Sequence, residues 1–363
     1  MTGRIGRVPL LAIAILSLAW GIWLGLLRLG WVLPLPWPDQ LILHGPLMVG
    51  GFLGTLIGLE RAIGLARPWA YLAPICSASG ALALVVGVPR PVGPLLISLA
   101  SIIVAIVFVN VFRREPSLSV LTMLTGALAW IIGNVMWLTG AAIYREVFCW
   151  IGFVVLTVAG ERLELNQVMR PAPRVRVFFM LALTAIASGV VASFVEATIG
   201  ARVVGGGLVA LAVWLARYDL ARRTVHQAGL TRFMAVCLLT GYVWLGVAGV
   251  LLLVTTPIEP GPRYDAILHA IFIGFVVSMI LGHAPIVFPA VTGMPLPYRP
   301  AAYLSLLVLH TSVLLRLVGD LVDVLGRLRA WGGLLNAIAI VLFIFTTARS
   351  VAGGRSGTPV CVL

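Results

Sequence analysis

The sequence predicts an all-α polytopic membrane protein of about twelve transmembrane helices, with both termini in the cytoplasm. Three observations carry that expectation. Hydrophobic residues make up 61% of the 363 and charged residues only 10%, with a mean hydropathy of +1.10, more apolar surface than a soluble core can use. Apolar runs long enough to cross a bilayer recur along the whole chain. The 25 basic residues are all arginine, and with the N-terminus inside, 17 fall at cytoplasmic span ends and 8 at the opposite ends, which is the positive-inside bias. The formal charge of +13 therefore reports topology, and no nucleic-acid partner is expected.

The spans are expected near 8–31, 39–60, 69–88, 93–112, 118–143, 147–168, 177–196, 198–216, 233–255, 265–288, 300–322 and 329–348. The first follows Arg4 and Arg7, as a signal peptide's apolar region would. Its run is longer than such a region, and no small-x-small cleavage motif closes it, so it reads as a retained helix. Connections are short. The most irregular, 33–40 and 255–265, are rich in proline and lie on the outer side. The longest polar one, 217–232, is basic and holds His226, read as a solvated loop histidine. The whole chain, 1–363, is expected to be one transmembrane domain. Its four cysteines are scattered with no C-x-x-C, which excludes a zinc ribbon and a covalent c-type haem. The terminal PVCVL is one residue short of a prenylation box.

Three even-numbered spans share a pattern. Span 2 reads GFLGTLIGLER from Gly51, span 6 reads GFVVLTVAGER from Gly152, and span 10 reads GFVVSMILGHA from Gly274. Nine residues after each glycine stands an ionisable residue: Glu60, Glu161 and His283. The spacing of four spans predicts a pseudo-threefold repeat of four-helix units, approximately 1–114, 115–232 and 233–363. The competing reading is chance similarity among glycine-rich apolar helices.

Ionisable groups in hydrocarbon cost about 2.5–3.5 kcal/mol on insertion scales and tend to face the bundle interior. Four of the five histidines fall in spans: His44, His269, His283 and His310. His44 and His269 stand at similar depth near the outer leaflet on two spans that run inwards. Facing each other, they would suit axial ligation of a haem iron. His283 follows His269 by fourteen residues, which for a regular helix returns within about 40° of the same face roughly 21 Å lower. One helix would then serve an outer and an inner level, with Glu60 and Glu161 at the inner one and His310 free to join either. The plainer readings are a helix–helix hydrogen bond for His310 and snorkelling pairs for Glu60–Arg61 and Glu161–Arg162. Adjacent residues do not face each other on a helix, so each glutamate is expected to find its partner elsewhere. Glu164, Asn166 and Gln167 read as a polar helix end.

The segment HGPLM, His44 to Met48, resembles the H-G-x-x-M or H-A-x-x-M segment of helix II in subunit I of the haem-copper oxidases. That resemblance implies twelve spans in pseudo-threefold groups and an axial histidine at His44, with its partner early in helix X, where His269 stands. The NnrS family of haem- and copper-containing proteins linked to nitric oxide metabolism is similar in size. It carries an H-x-x-M-type second span and a late Leu-Gly-His, as residues 281–283 do here. The oxidase copper ligands are missing, since span 6 has no histidine and span 7 no histidine pair; span 10 has no H-x-H, so the high-spin haem ligand is not where the oxidases keep it. Oxygen reduction with proton pumping is therefore not expected.

What the resemblance implies is haem b at His44 and His269, with Met48 close by, in a bacterial or archaeal cytoplasmic membrane. A second metal or haem would lie at His283, with Glu60, Glu161 or His310; a mixed His and carboxylate site would suit non-haem iron, with copper as the other metal. The expected function is electron transfer or nitric oxide chemistry, leaning to an oxidoreductase fed by a quinol or cytochrome. An ion-coupled transporter using the buried Glu and His residues, or an assembly factor for a respiratory complex, is the alternative.

Overall fold

The computed structural model describes residues 6–35, 37–169, 172–255 and 259–354. Arg4, Arg170, Arg355, Cys361 and residues 256–258 of the outer loop lie outside them. Among the described residues there is no β-strand, and twelve helices are long and apolar enough to cross a membrane. This is a polytopic helical membrane protein. The helices are α1 (Arg7–Arg28), α2 (Asp39–Leu65), α3 (Pro68–Val85), α4 (Val92–Arg114), α5 (Leu118–Leu138) and α6 (Ile143–Asn166). They continue with α7 (Pro173–Ala192), α8 (Ala197–Tyr218), α9 (Gly229–Val254), α10 (Pro262–Thr292), α11 (Ala302–Leu321) and α12 (Arg327–Val351). Each matches an expected span, with ends moved by a few residues. The polar connection before α9 is not wholly irregular, because Ala221–Thr224 forms one helical turn.

Apolar side chains cover both the inside and the outside of the bundle. Leu181, Val213, Val243 and Leu307 stand in mid-helix and are all at least 60% exposed, as helices facing lipid rather than water require. Polar caps sit at the ends. Glu196 accepts the backbone N–H groups of Ile199 and Thr198 at the start of α8. Those two bonds hold its carboxyl below the ordinary carboxylate value. Gly293, with φ of 74°, takes the left-handed position that stops α10.

Successive helices pack side by side, and α12 returns to α1. Trp31 closes that seam, stacking edge-on against Trp331 at 5.5 Å and donating to the Ala330 carbonyl at 3.3 Å. Inside the ring α10 touches both α2 and α6. The most enclosed helix is α6, whose buried residues run almost unbroken from Glu146 to Leu163. Trp130 of α5 stacks flat on Phe153 of α6 at 4.3 Å, and Trp150 donates to Asn134 at 3.1 Å. That bond satisfies the buried Trp150 N–H, whereas the Trp130 N–H has no partner among the described residues.

The two helices that carry the outer histidines are not regular. In α2 a 3₁₀ stretch (Pro38–Leu43) leads through His44–Pro46 into a π segment, Leu47–Leu53. In α10 a π segment, Ala270–Val277, begins immediately after His269. Pro46 has no N–H to offer an i−4 carbonyl, so the α pattern is interrupted there. Inside the second segment Gly274 lies against Trp244, where a Cβ would come within 2.5 Å of the indole Cγ. Wider π turns change which face later residues occupy. The regular-helix count from His269 to His283 therefore does not apply.

Without a hydrophobic force between helices in lipid, close backbone packing through small residues carries association. Between α8 and α9, Gly205 and Gly249 are mutual neighbours: a Cβ on either would sit 2.7 Å from the other's carbonyl oxygen. Backbone cannot yield there as a side chain could. Gly205→Ala should therefore cost about 1–3 kcal/mol, read as a lowered unfolding temperature in detergent. Gly206→Ala, whose Cβ would meet nothing within 4 Å, should leave that temperature unchanged.

Candidate functional site

The polar interior lies on α2, α6 and α10 at two levels. At the outer level the His44 Nδ1 lies 2.7 Å from the Gly21 carbonyl of α1. The His269 Nδ1 lies 2.7 Å from the Asp265 carbonyl, one turn back on its own helix. A carbonyl only accepts, so Nδ1 carries the proton in each ring and Nε2 keeps its lone pair. The two ring centroids are 6.4 Å apart and the planes differ by 14°. Both histidines are partly buried.

Glycine shapes the wall behind His44. A Cβ on Gly25 would lie 3.0 Å from the His44 Cε1, and one on Gly21 would lie 2.8 Å from the Met48 Sδ. Helix α1 thus presents bare backbone to both residues of the HGPLM segment. Met48 packs against Gly21, one turn below His44. On the outer side, Arg28 and Arg316 act electrostatically on both histidines. Arg316 is 5% exposed and reaches Asp265 at 3.4 Å and Asp320 at 3.6 Å. Arg329 reaches Asp320 from α12 at 3.7 Å.

Glu146 is the residue that sequence reasoning missed. It is fully buried, and neither carboxyl oxygen has a hydrogen-bond partner among the described residues. Its position had a signal: His44 stands seven residues before Gly51, Glu146 six before Gly152 and His269 five before Gly274. The expected start of span 6 at residue 147 hid it, because α6 begins at Ile143.

At the inner level, Arg61 of α2 bonds Glu161 of α6, and also Glu60 beside it at 3.3 Å. The expectation that each glutamate pairs elsewhere thus holds for Glu161 and fails for Glu60, whose long neighbour can curl back at a helix end. Arg162 of α6 grips Asp219 with two bonds, 2.8 Å and 3.0 Å. Its Nη1 also lies 3.4 Å from the His283 Nε2. His283 spends its Nδ1–H on the Met279 carbonyl at 2.7 Å, so its lone pair faces the guanidinium. The buried Tyr242 side chain lies beside Arg162 and Asp219.

These contacts follow one register. Glu161 meets the arginine after Glu60, and His283 meets the arginine after Glu161. The third contact is missing because Ala284 follows His283.

The residues expected to form an inner metal site are not assembled as one. Both His310 ring nitrogens are engaged, Nδ1 accepting from Trp244 at 2.9 Å and Nε2 lying 2.9 Å from the Thr240 hydroxyl. Glu60 and Glu161 are held by Arg61. Among the described residues no three His, Cys, Asp or Glu side chains gather as a metal ion's ligands would. His226 is exposed, as its loop position suggested, and lines a basic cleft.

Fold and site together define a twelve-helix membrane protein whose central helices bury a histidine pair above a network of ion pairs. The chain belongs to a family described as a domain of unknown function (DUF8744), matched over residues 7–352. No curated protein matches it.

Removing one partner of a buried ion pair leaves an uncompensated charge and costs about 3–5 kcal/mol, whereas replacing both with apolar groups is often neutral. Arg162→Met should therefore lower the unfolding temperature sharply in a detergent melt, and Arg162→Met with Asp219→Leu should restore most of the loss. Equal melts for the single and double variants would show that the pair is not coupled.

Proposed function

We propose that this chain is a membrane haem protein in which the Nε2 atoms of His44 and His269 hold one haem b. The observation that carries the reading is the paired geometry. Two metal–nitrogen bonds of about 2 Å each, with the ring radii beyond them, span roughly 6 Å between imidazole centroids, against 6.4 Å here. Both rings also have their Nδ1–H tied to a carbonyl, the outer contact that fixes the tautomer of a ligating histidine. A pair of histidines without a third protein donor suits a metal that arrives with its own equatorial nitrogens. When bound, the haem supplies one-electron chemistry.

The protein's residues supply the rest. Gly21 and Gly25 fix the azimuth of His44. Asp265 fixes His269 through its carbonyl and is itself held by Arg316. With His44 and His269 both holding it, the haem would serve electron transfer, from a quinol or a cytochrome, rather than the binding of nitric oxide. The resemblance of His44–Met48 to the haem-copper and NnrS-like second span supports the same assignment. The arginine-rich face would be the cytoplasmic one, in a bacterial or archaeal cytoplasmic membrane. Copper and non-haem iron have no donor set of three His, Cys, Asp or Glu side chains among the described residues.

A second reading, ion-coupled transport, is favoured by the inner network of Arg61, Glu161, Arg162 and Asp219, since intramembrane ionisable groups mark ion paths.

The visible spectrum of the purified protein separates the two. A Soret band with sharp α and β bands on reduction is expected, lost in His44→Ala and in His269→Ala. Gly25→Val, which presses on the His44 ring, should weaken or shift the bands while His310→Ala leaves them alone. A folded protein that stays colourless when expressed with ample haem, and holds no iron by elemental analysis, would overturn the haem reading and leave transport.

A further inference from the structure

On the arginine-rich side, outside the central site, the ends of α6 and α8 and the helical turn at Ala221–Thr224 enclose a cleft of about 570 Å³. Its floor is made by Asn166, Trp214 and Asp219, all buried. Its rim carries Arg217, Arg222 and Arg223, all exposed, with His226 beside them.

The balance of charge in the cleft is one-sided. Asp219, the acid at the floor, already has both oxygens on Arg162, and one of them also accepts the Ala221 N–H at 2.7 Å. Arg217, Arg222 and Arg223 form no ion pair among the described residues. Asn166 is 2% exposed; its Oδ1 accepts the Leu220 N–H at 2.9 Å, and its Nδ2 donor group has no partner. A buried amide donor left unmade costs about 1–3 kcal/mol. Here it lies in a cleft where every free side-chain charge is positive.

We infer that this cleft binds a phosphate-bearing anion, with the Asn166 amide donating at its base and Arg222 and Arg223 closing over it. Guanidinium groups pair with phosphate in a bidentate fork. Basic clefts between transmembrane helices on the arginine-rich face take phosphate headgroups of anionic lipids. A soluble phosphate ester presents the same oxygens. The Trp214 N–H is already spent on the Val175 carbonyl at 2.8 Å, so the indole offers only an apolar wall.

The test uses the full chain in neutral detergent. One arm adds phosphatidylglycerol, with phosphatidylcholine as the comparison. The other titrates inorganic phosphate and pyrophosphate at constant ionic strength. Retention in native mass spectrometry and the shift in unfolding temperature are the readouts. Saturable binding in either arm is expected, and the arm in which it appears identifies the source of the phosphate. Arg222→Gln with Arg223→Gln should weaken it at least tenfold. Asn166→Asp keeps the acceptor for Leu220 but turns the free donor into an acceptor, and should weaken binding comparably when measured below the variant's own unfolding temperature. Arg113→Gln with Arg114→Gln, at the end of α4 on the same face, should change nothing. No saturable binding in either arm would overturn the inference. So would an equal loss in the α4 variant, which would make the attraction a diffuse property of a basic surface.

Discussion

The buried pair of Arg162 and Asp219 is the contact around which the inner half of the molecule is arranged. A guanidinium that is 4% exposed in a bilayer-spanning bundle needs both a countercharge and donors matched to acceptors. Asp219 supplies this from beyond the end of α8, with its two oxygens in register with the fork. That places the α8 terminus against α6, orders the turn at Ala221, and leaves one guanidinium nitrogen for His283 of α10. The same contact thus ties three helices and decides that His283 receives a hydrogen bond at Nε2.

At the outer level the organising device is different. No charge reaches the two facing imidazoles directly; each is held by a backbone carbonyl, and positive charge stands further out on Arg28 and Arg316. The levels therefore differ in chemistry. Among the described residues the outer one keeps two neutral lone pairs without a proton donor, whereas the inner one pairs most of its charged groups with one another. A site that binds something is expected to resemble the former, and a structural clamp the latter.

Much of this was legible in the sequence. Composition and apolar run length carry the twelve helices, because hydrocarbon accepts no backbone that fails to satisfy itself. The histidine pair was legible because the direction and depth of α2 and α10 follow from topology alone. Other features were not. Asp219 sits among arginines in what reads as a solvated connection, and nothing in RYDLARR marks its partner 57 residues earlier. The π segments carry no reliable signature, so a 3.6-residue count from His269 to His283 does not apply across Ala270–Val277. Glu146 was lost to a helix start placed four residues late, at 147 where α6 begins at Ile143, because its charge reads as the end of an apolar run.

The alanine at 284 has a consequence for the shape of the bundle as a whole. Around the axis the inner contacts run from α6 to α2 and from α10 to α6, a directional, pinwheel-like order with two of its three joints made. Among the described residues no hydrogen bond or ion pair joins α10 to α2 at that level. A closed pinwheel would lock all three central helices equally. This one leaves one side open, where α10 meets α2 without such a joint among the described residues.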